Sequence, residues 1–118
     1  METDLSSIIR LEASRLGHML WRNNSGAMTD QTGRMVRFGL GNDSKRSNAA
    51  FKSSDLIGYT IVNGVAVFTA IEIKPPGWTY KGTPRELAQM KFISTVTQSG
   101  GLAGFATSKE DYRRIINQ

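Results

Sequence analysis

Asp55, Glu72 and Lys74 are the residues whose types and spacing could do hydrolytic chemistry. Side chains alternate between the two faces of an extended strand, so in Glu72-Ile73-Lys74 the two charged residues share one face. Ile71 and Ile73 take the other, and one charged face backed by one core face is the expectation. Upstream, Asn63-Gly64 separates two β-rich runs and is the pair preferred in two-residue type I′ hairpin turns. With these two as the loop, Val62 pairs with Val65, and counting outward sets Asp55 opposite Glu72. Residues opposed in this way carry Cβ atoms about 4.5 to 5.5 Å apart, near enough for two carboxylates to share one divalent cation.

Two carboxylates at that distance repel, and Lys74 offsets only part of the charge. Mg²⁺ suits such a pair because it takes one or two carboxylates, keeps several waters and completes its octahedron with phosphate oxygens. Mn²⁺ favours the same oxygen donors and should substitute. A metal so held polarises a phosphate and makes a bound water easier to deprotonate, while a nearby lysine orients that water or stabilises developing charge. Hydrolysis of a phosphodiester is the chemistry these residues fit. A Glu-x-Lys triplet by itself is a weak signal, common at strand ends, and the matched Asp55 is what strengthens it.

The elements that must position these side chains follow from periodicity and caps. Leu5, Ile8, Ile9 and Leu16 fall on one helical stripe that stops at Gly17. His18 to Asn23 reads as a short strand. Residues 24–54, rich in Gly, Asn, Ser, Lys and Arg, are expected to form a long, partly mobile loop, with strand character only from Met35 to Leu40. Thr83-Pro84-Arg85-Glu86 is a capping box with Pro at the first helical position, opening a helix that ends at Gly100-Gly101. Gln89 lies in register with Phe92, Ile93 and Val96, so a polar residue sits on a stripe that otherwise faces the core and needs a partner. Leu102 to Thr107 reads as a strand, and Ser108 caps a short terminal helix. The order implies a single α/β domain over residues 1–118, a mixed sheet flanked by helices.

Composition narrows the partners. Fifteen Lys and Arg against ten Asp and Glu leave a formal charge of +5, which favours a polyanion. There is no cysteine and a single histidine, His18, so disulfides, a Cys nucleophile and thiolate or multi-histidine zinc sites are excluded. No apolar run approaches the roughly 20 residues of a membrane span, and a cytoplasmic location without membrane attachment is the expectation. Arg22, Arg37, Lys45, Arg46, Lys52 and Lys81 are the candidate DNA contacts.

Taken together, Trp21-Arg22-Asn23-Asn24-Ser25-Gly26-Ala27, Arg37-Phe38-Gly39, Ser54-Asp55-Leu56-Ile57-Gly58, Glu72-Ile73-Lys74, Gln89 with Phe92, and Gly100-Gly101 resemble the virus-type replication-repair nuclease (VRR-NUC) family of the PD-(D/E)xK superfamily. The resemblance implies a restriction-endonuclease-like αβββαβ core and a small stand-alone nuclease, similar to Holliday junction resolvases that act as homodimers in a bacterium or a phage-infected host. It implies metal-binding roles for Asp55, Glu72 and the Ile73 carbonyl, a catalytic role for Lys74 and a supporting one for Gln89. It also implies an active-site glutamate in the first helix, for which Glu2 and Glu12 are the candidates. They lie about 15 Å apart along a helix, so one metal cannot engage both, and Glu2 is favoured by its distance upstream of Gly17. Ser54 stands where the superfamily name has proline. Flap or end trimming, and a non-catalytic nucleic-acid-binding module, are the alternative functions. Trp78 and Tyr80, in a Pro- and Gly-rich segment outside the expected core, are candidates for a dimer contact or for stacking on unpaired bases.

Overall fold

Along the chain the elements run α1 (Glu2–Arg15), β1 (Met19–Arg22), β2 (Gly26–Thr29), β3 (Met35–Phe38), α2 (Lys45–Ala50), β4 (Leu56–Val62), β5 (Val65–Ile73), α3 (Pro84–Gln98), β6 (Leu102–Ala106) and α4 (Lys109–Ile115). The computed structural model describes residues 2–118, with the side chains of Glu2, Thr3 and Ser47 outside the description. The main sheet has the order β1-β4-β5-β6, antiparallel except for the parallel β5–β6 pair. The sequence α1, β1, β4, β5, α3, β6 forms the expected α/β core, and β2, β3 and α2 are inserted between its first two strands.

Asn63 and Gly64 both take positive φ, 51° and 78°, as a type I′ turn requires. The β4–β5 register then runs without a bulge from Val62↔Val65 to Leu56↔Ile71. One step further out lie Asp55 and Glu72, as the counting from the turn predicts. Gly58 lets β1 approach: a Cβ there would lie 2.0 Å from the Met19 carbonyl oxygen.

Both faces of the sheet are covered. On one, Ile9 and Ala13 of α1 and Tyr112 of α4 pack with Leu20, Leu56, Ile71 and Ile73. On the other, Phe92 and Val96 of α3 pack on Ala70. The picture of one charged and one core face is therefore corrected: the Glu72 face is apolar where α3 lies over Ala70 and polar only beyond it. The α1 stripe is corrected too. Ile9 and Ala13 are its buried apolar residues, whereas Ile8 is 47% exposed, at the edge of the stripe.

Residues 24–54 are not a bare loop. β2 and β3 form an antiparallel hairpin from Gly26↔Phe38 to Thr29↔Met35. Buried Asn42 closes it, its amide nitrogen donating to the carbonyls of Gly26 (2.7 Å) and Phe38 (2.9 Å). Gly39 has φ 99° and sits where a Cβ would lie 2.3 Å from Ser25 Cβ, so no other residue fits this crossing. The segment after α2 is anchored on α3 by an edge-on Phe51–Phe92 contact and by the Lys52 N–H on the Ala88 carbonyl (3.1 Å).

Candidate metal and phosphate site

Asp55 stands immediately before β4 and Glu72 one residue before the end of β5. The Asp55 carbonyl accepts the Asn23 N–H (2.7 Å), and its Oδ2 accepts the Ile73 N–H (2.9 Å). Within an extended strand the N–H and C=O of one residue project the same way, so the Ile73 carbonyl faces the Asp55 edge as well. Glu72 is 5% exposed and its Oε2 accepts from Gln89 Nε2 at 3.3 Å. Burial, then the hydrogen bond and negative charge of Asp55, push Glu72 up to about 9, against weaker opposing pulls from Lys74 and Arg85.

A buried carboxyl in contact with a second one is a site short of positive charge. A divalent cation would supply it and return Glu72 to its ionised form. Buried Gln89 leaves Oε1 without any partner, a second sign of an incomplete site. Among the described residues no group of three or more Asp, Glu or His is gathered for a metal. The donors are two carboxylates and one backbone carbonyl, which suits Mg²⁺, an ion that keeps several waters, better than a cation needing an all-protein cage.

Lys74 continues β5 outward, its N–H bonded to the Ala106 carbonyl (3.0 Å). Its Nζ lies 5.4 Å from the Trp78 ring centre and 5.8 Å from that of Phe105, both within cation–π range. Trp78 lies outside both core clusters, as expected, and is half-buried: it packs on Phe105 with ring centres 4.8 Å apart, and its indole N–H donates to Glu86 Oε2 (2.9 Å). Parallel pairing sets Phe105 beside Glu72 and so brings the ring within reach of both Lys74 and Trp78. Tyr80 stays 42% exposed. Glu86, the capping-box residue of α3, also accepts the N–H groups of Lys81 (2.8 Å) and Thr83 (3.2 Å). These backbone bonds, above all that from Lys81, hold it below the ordinary carboxylate range.

Asp55 lies between two hollows. One, of about 320 Å³, brings Arg37, Lys52 and Arg85 around Asp55 and Gln89. The other, of about 410 Å³, joins Asp55 and Ile73 to Arg22, Arg10 and the serines Ser6 and Ser7 of α1. Of the expected DNA contacts, Arg37 and Lys52 thus meet at the site and Arg22 flanks it. Lys45 lines only a shallow depression with Arg37, Arg46 is exposed on α2, and Lys81 belongs to the loop tied to Glu86. Arg85, Arg10 and Asn23 are the residues that the sequence reading missed. Arg85 precedes Gln89 by one helical turn, a spacing that could have revealed it.

The serines of α1 at the second hollow show that the N-terminal half of this helix faces Asp55. The Glu2 side chain lies outside the described residues. Glu12 lines neither hollow beside Asp55 and is buried and engaged by Arg15 (2.7 Å) and Arg113 (3.7 Å). Among the described residues no helix is long and apolar enough to cross a membrane. Compared with known proteins, the chain matches no family model, no curated protein and no solved structure.

Proposed function

We propose that this protein is a metal-dependent DNA endonuclease of the VRR-NUC type, cutting phosphodiester bonds at branched DNA. The observation that carries the reading is the contact of Asp55 with buried Glu72 beside Lys74, two carboxylates that make no ion pair among the described residues. Asp55, Glu72 and the Ile73 carbonyl would hold Mg²⁺ or Mn²⁺. When bound, the ion supplies positive charge to the scissile phosphate and a water that is easier to deprotonate. The chain's own residues do the rest. The Ile73 N–H fixes the Asp55 carboxylate, and Gln89 fixes Glu72. Lys74, placed against Trp78 and Phe105, offers its ammonium to the attacking water or to a phosphate oxygen. The basic hollows on either side of Asp55 track the DNA backbone.

A four-way junction needs two matched incisions, and a two-fold homodimer is the commonest way to provide two cutting edges. Cleavage assays with Mg²⁺ on junction, flap, nicked and linear DNA test the reading, with junction cleavage expected and loss of all cleavage in EDTA. Sedimentation with junction DNA should find two chains per junction. One chain per junction, with preference for flaps or ends, would move the reading to a trimming nuclease; binding without cleavage of any substrate would reduce it to a binding module.

A further inference from the structure

The hollow that brings Arg37, Lys52 and Arg85 together is more than a basic patch, because its cations are oriented without being neutralised. Arg37 Nη1 donates to the amide oxygen of Asn42 at 3.1 Å, and Asn42 is itself buried and committed to closing the β2–β3 hairpin. Lys52 Nζ donates to the amide oxygen of Asn48 at 2.5 Å, one turn back along the chain. Neutral amides therefore aim both cations, while the ion pairs among the described residues all lie elsewhere, at Arg15, Arg113 and Arg114. Arg85, exposed on the first turn of α3, faces the same hollow. A side chain held by amides keeps its full charge for an incoming anion. One held by a carboxylate would not.

The occupant can be narrowed by what the hollow lacks. Among the described residues no aromatic ring lines it, so it offers no platform for a base. Its three cations are repulsive to a metal ion. Gln89, buried at its edge, keeps Oε1 without a donor; a phosphodiester has no hydrogen to give it, so a water carried in with the occupant is what completes it. Asp55 and Gln89 are shared with the carboxylate pair, so the occupant sits directly beside whatever is bound there.

We infer that this hollow seats the DNA phosphate next to the one that is cleaved, on the same strand, gripped by Arg37, Lys52 and Arg85. The inference rests on Asp55 and Glu72 as the cutting site. Hairpin β2–β3 and α2, the insertion that carries Arg37 and the segment leading to Lys52, then serve to close a strand-registering clamp over the core.

The test uses the full chain in EDTA, where binding is read without cutting. Junction DNA carrying one neutral methylphosphonate is scanned along the strand against wild type, Arg85→Gln and Lys52→Gln. Each substitution should flatten the slope of log affinity against log salt by up to about 0.9, the value of one whole phosphate contact, because the three cations share one phosphate. At one linkage, adjacent to the cut found in Mg²⁺, the methylphosphonate should weaken wild type more than Arg85→Gln or Lys52→Gln, each of which has already lost one of the three cations on that phosphate. Equal added losses for wild type and both variants at every linkage would overturn the proposal, as would coupling at a linkage remote from the cut. Coupling without any cleavage in Mg²⁺ would sink the nuclease reading and leave a phosphate seat beside Asp55; cleavage without coupling would do the reverse.

Discussion

The same four strands carry two faces that treat charge in opposite ways. On the α1–α4 side two described carboxylates have their counterparts: buried Glu12 is paired with Arg15 and Arg113, and half-buried Asp111 accepts the Thr107 N–H and hydroxyl and pairs with Arg114. On the α3 side Glu72 and Asp55 face each other, while Arg37 and Lys52 stand close by on neutral partners and Arg85 faces the same hollow. Glu12 is accordingly held below the ordinary carboxylate range by its Arg15 hydrogen bond, and Glu72 is pushed up to about 9 by burial. A protein that can neutralise its charges internally on one face and does not on the other leaves the second face to a ligand. The second face is therefore the candidate site.

Activity should break along that line. Asp55→Asn and Glu72→Gln are expected to abolish Mg²⁺-dependent cleavage while leaving DNA affinity within a few-fold, and Lys74→Ala to cost about 10²–10⁴-fold in rate with metal affinity retained. Glu12→Gln should leave the rate per folded molecule unchanged. Turnover surviving in Asp55→Asn or Glu72→Gln, measured with single-turnover kinetics and metal affinity by calorimetry, would erase the distinction between the faces.

Stability should move in opposite senses. Glu72 has a raised folded pKa, so its contribution is fully present below the ordinary carboxylate value and is lost as pH rises toward about 9. Glu72→Gln should therefore raise the Tm of the metal-free protein at neutral pH, the gain growing from about pH 5 to about pH 9, and should remove the further stabilisation that Mg²⁺ gives to wild type. Asp111 has a lowered folded pKa, chiefly through the Thr107 N–H, so its contribution is present above the ordinary value and is lost as pH falls through the folded one. Asp111→Asn should lower Tm at neutral pH and lose that effect in acid. Calorimetric scans of both variants across pH measure the signs, and two variants moving together would refute the comparison.

A smaller effect sharpens it from within the site. Trp78 joins Lys74 to Glu86 and so to the start of α3, the helix that carries Arg85 and Gln89. Trp78→Phe keeps a ring under the ammonium but loses the indole N–H, whereas Trp78→Ala loses both. The expected order of kcat is wild type, then Phe, then Ala, with Ala down by up to about 10²-fold, the cost of an ångström-scale misplacement, and KM for DNA little changed. Equal losses in Phe and Ala would place the whole effect in the Glu86 bond.

What could be read from the residues alone was whatever local rules decide. Asn63-Gly64 set a register that carried without a bulge to Asp55 and Glu72, and Thr83 with Glu86 marked the start of α3. The β2–β3 hairpin was hidden because almost all of it is exposed and its closure hangs on one side chain, Asn42, which no periodicity reveals. The packing of Trp78 was not legible because its partner Phe105 arrives from β6 through parallel pairing with Glu72, a non-local contact. Arg37 and Lys52 were recognised as basic, but their convergence with Arg85 depends on the Asn42 closure and on Phe51 packing against Phe92.

The smallest expected effect is the control that gives the others their meaning. Arg114 is a cation like Arg85, exposed on a helix, but its Nη1 lies 2.8 Å from Asp111 Oδ1 in an i,i+3 pair on the closed face. Such an exposed pair contributes about 0.3–0.5 kcal/mol, so Arg114→Gln should shift Tm by no more than about 2–4 °C. Its charge is already answered by Asp111, and beyond a Debye length of about 8 Å at physiological salt it contributes little to a phosphate held at the α3 face. The salt slope of DNA binding should therefore match that of wild type, whereas Arg85→Gln, which removes the same formal charge, flattens it. Equal flattening by the two variants would mean that DNA responds to the net charge of +5 as a whole and not to where the unpaired cations stand.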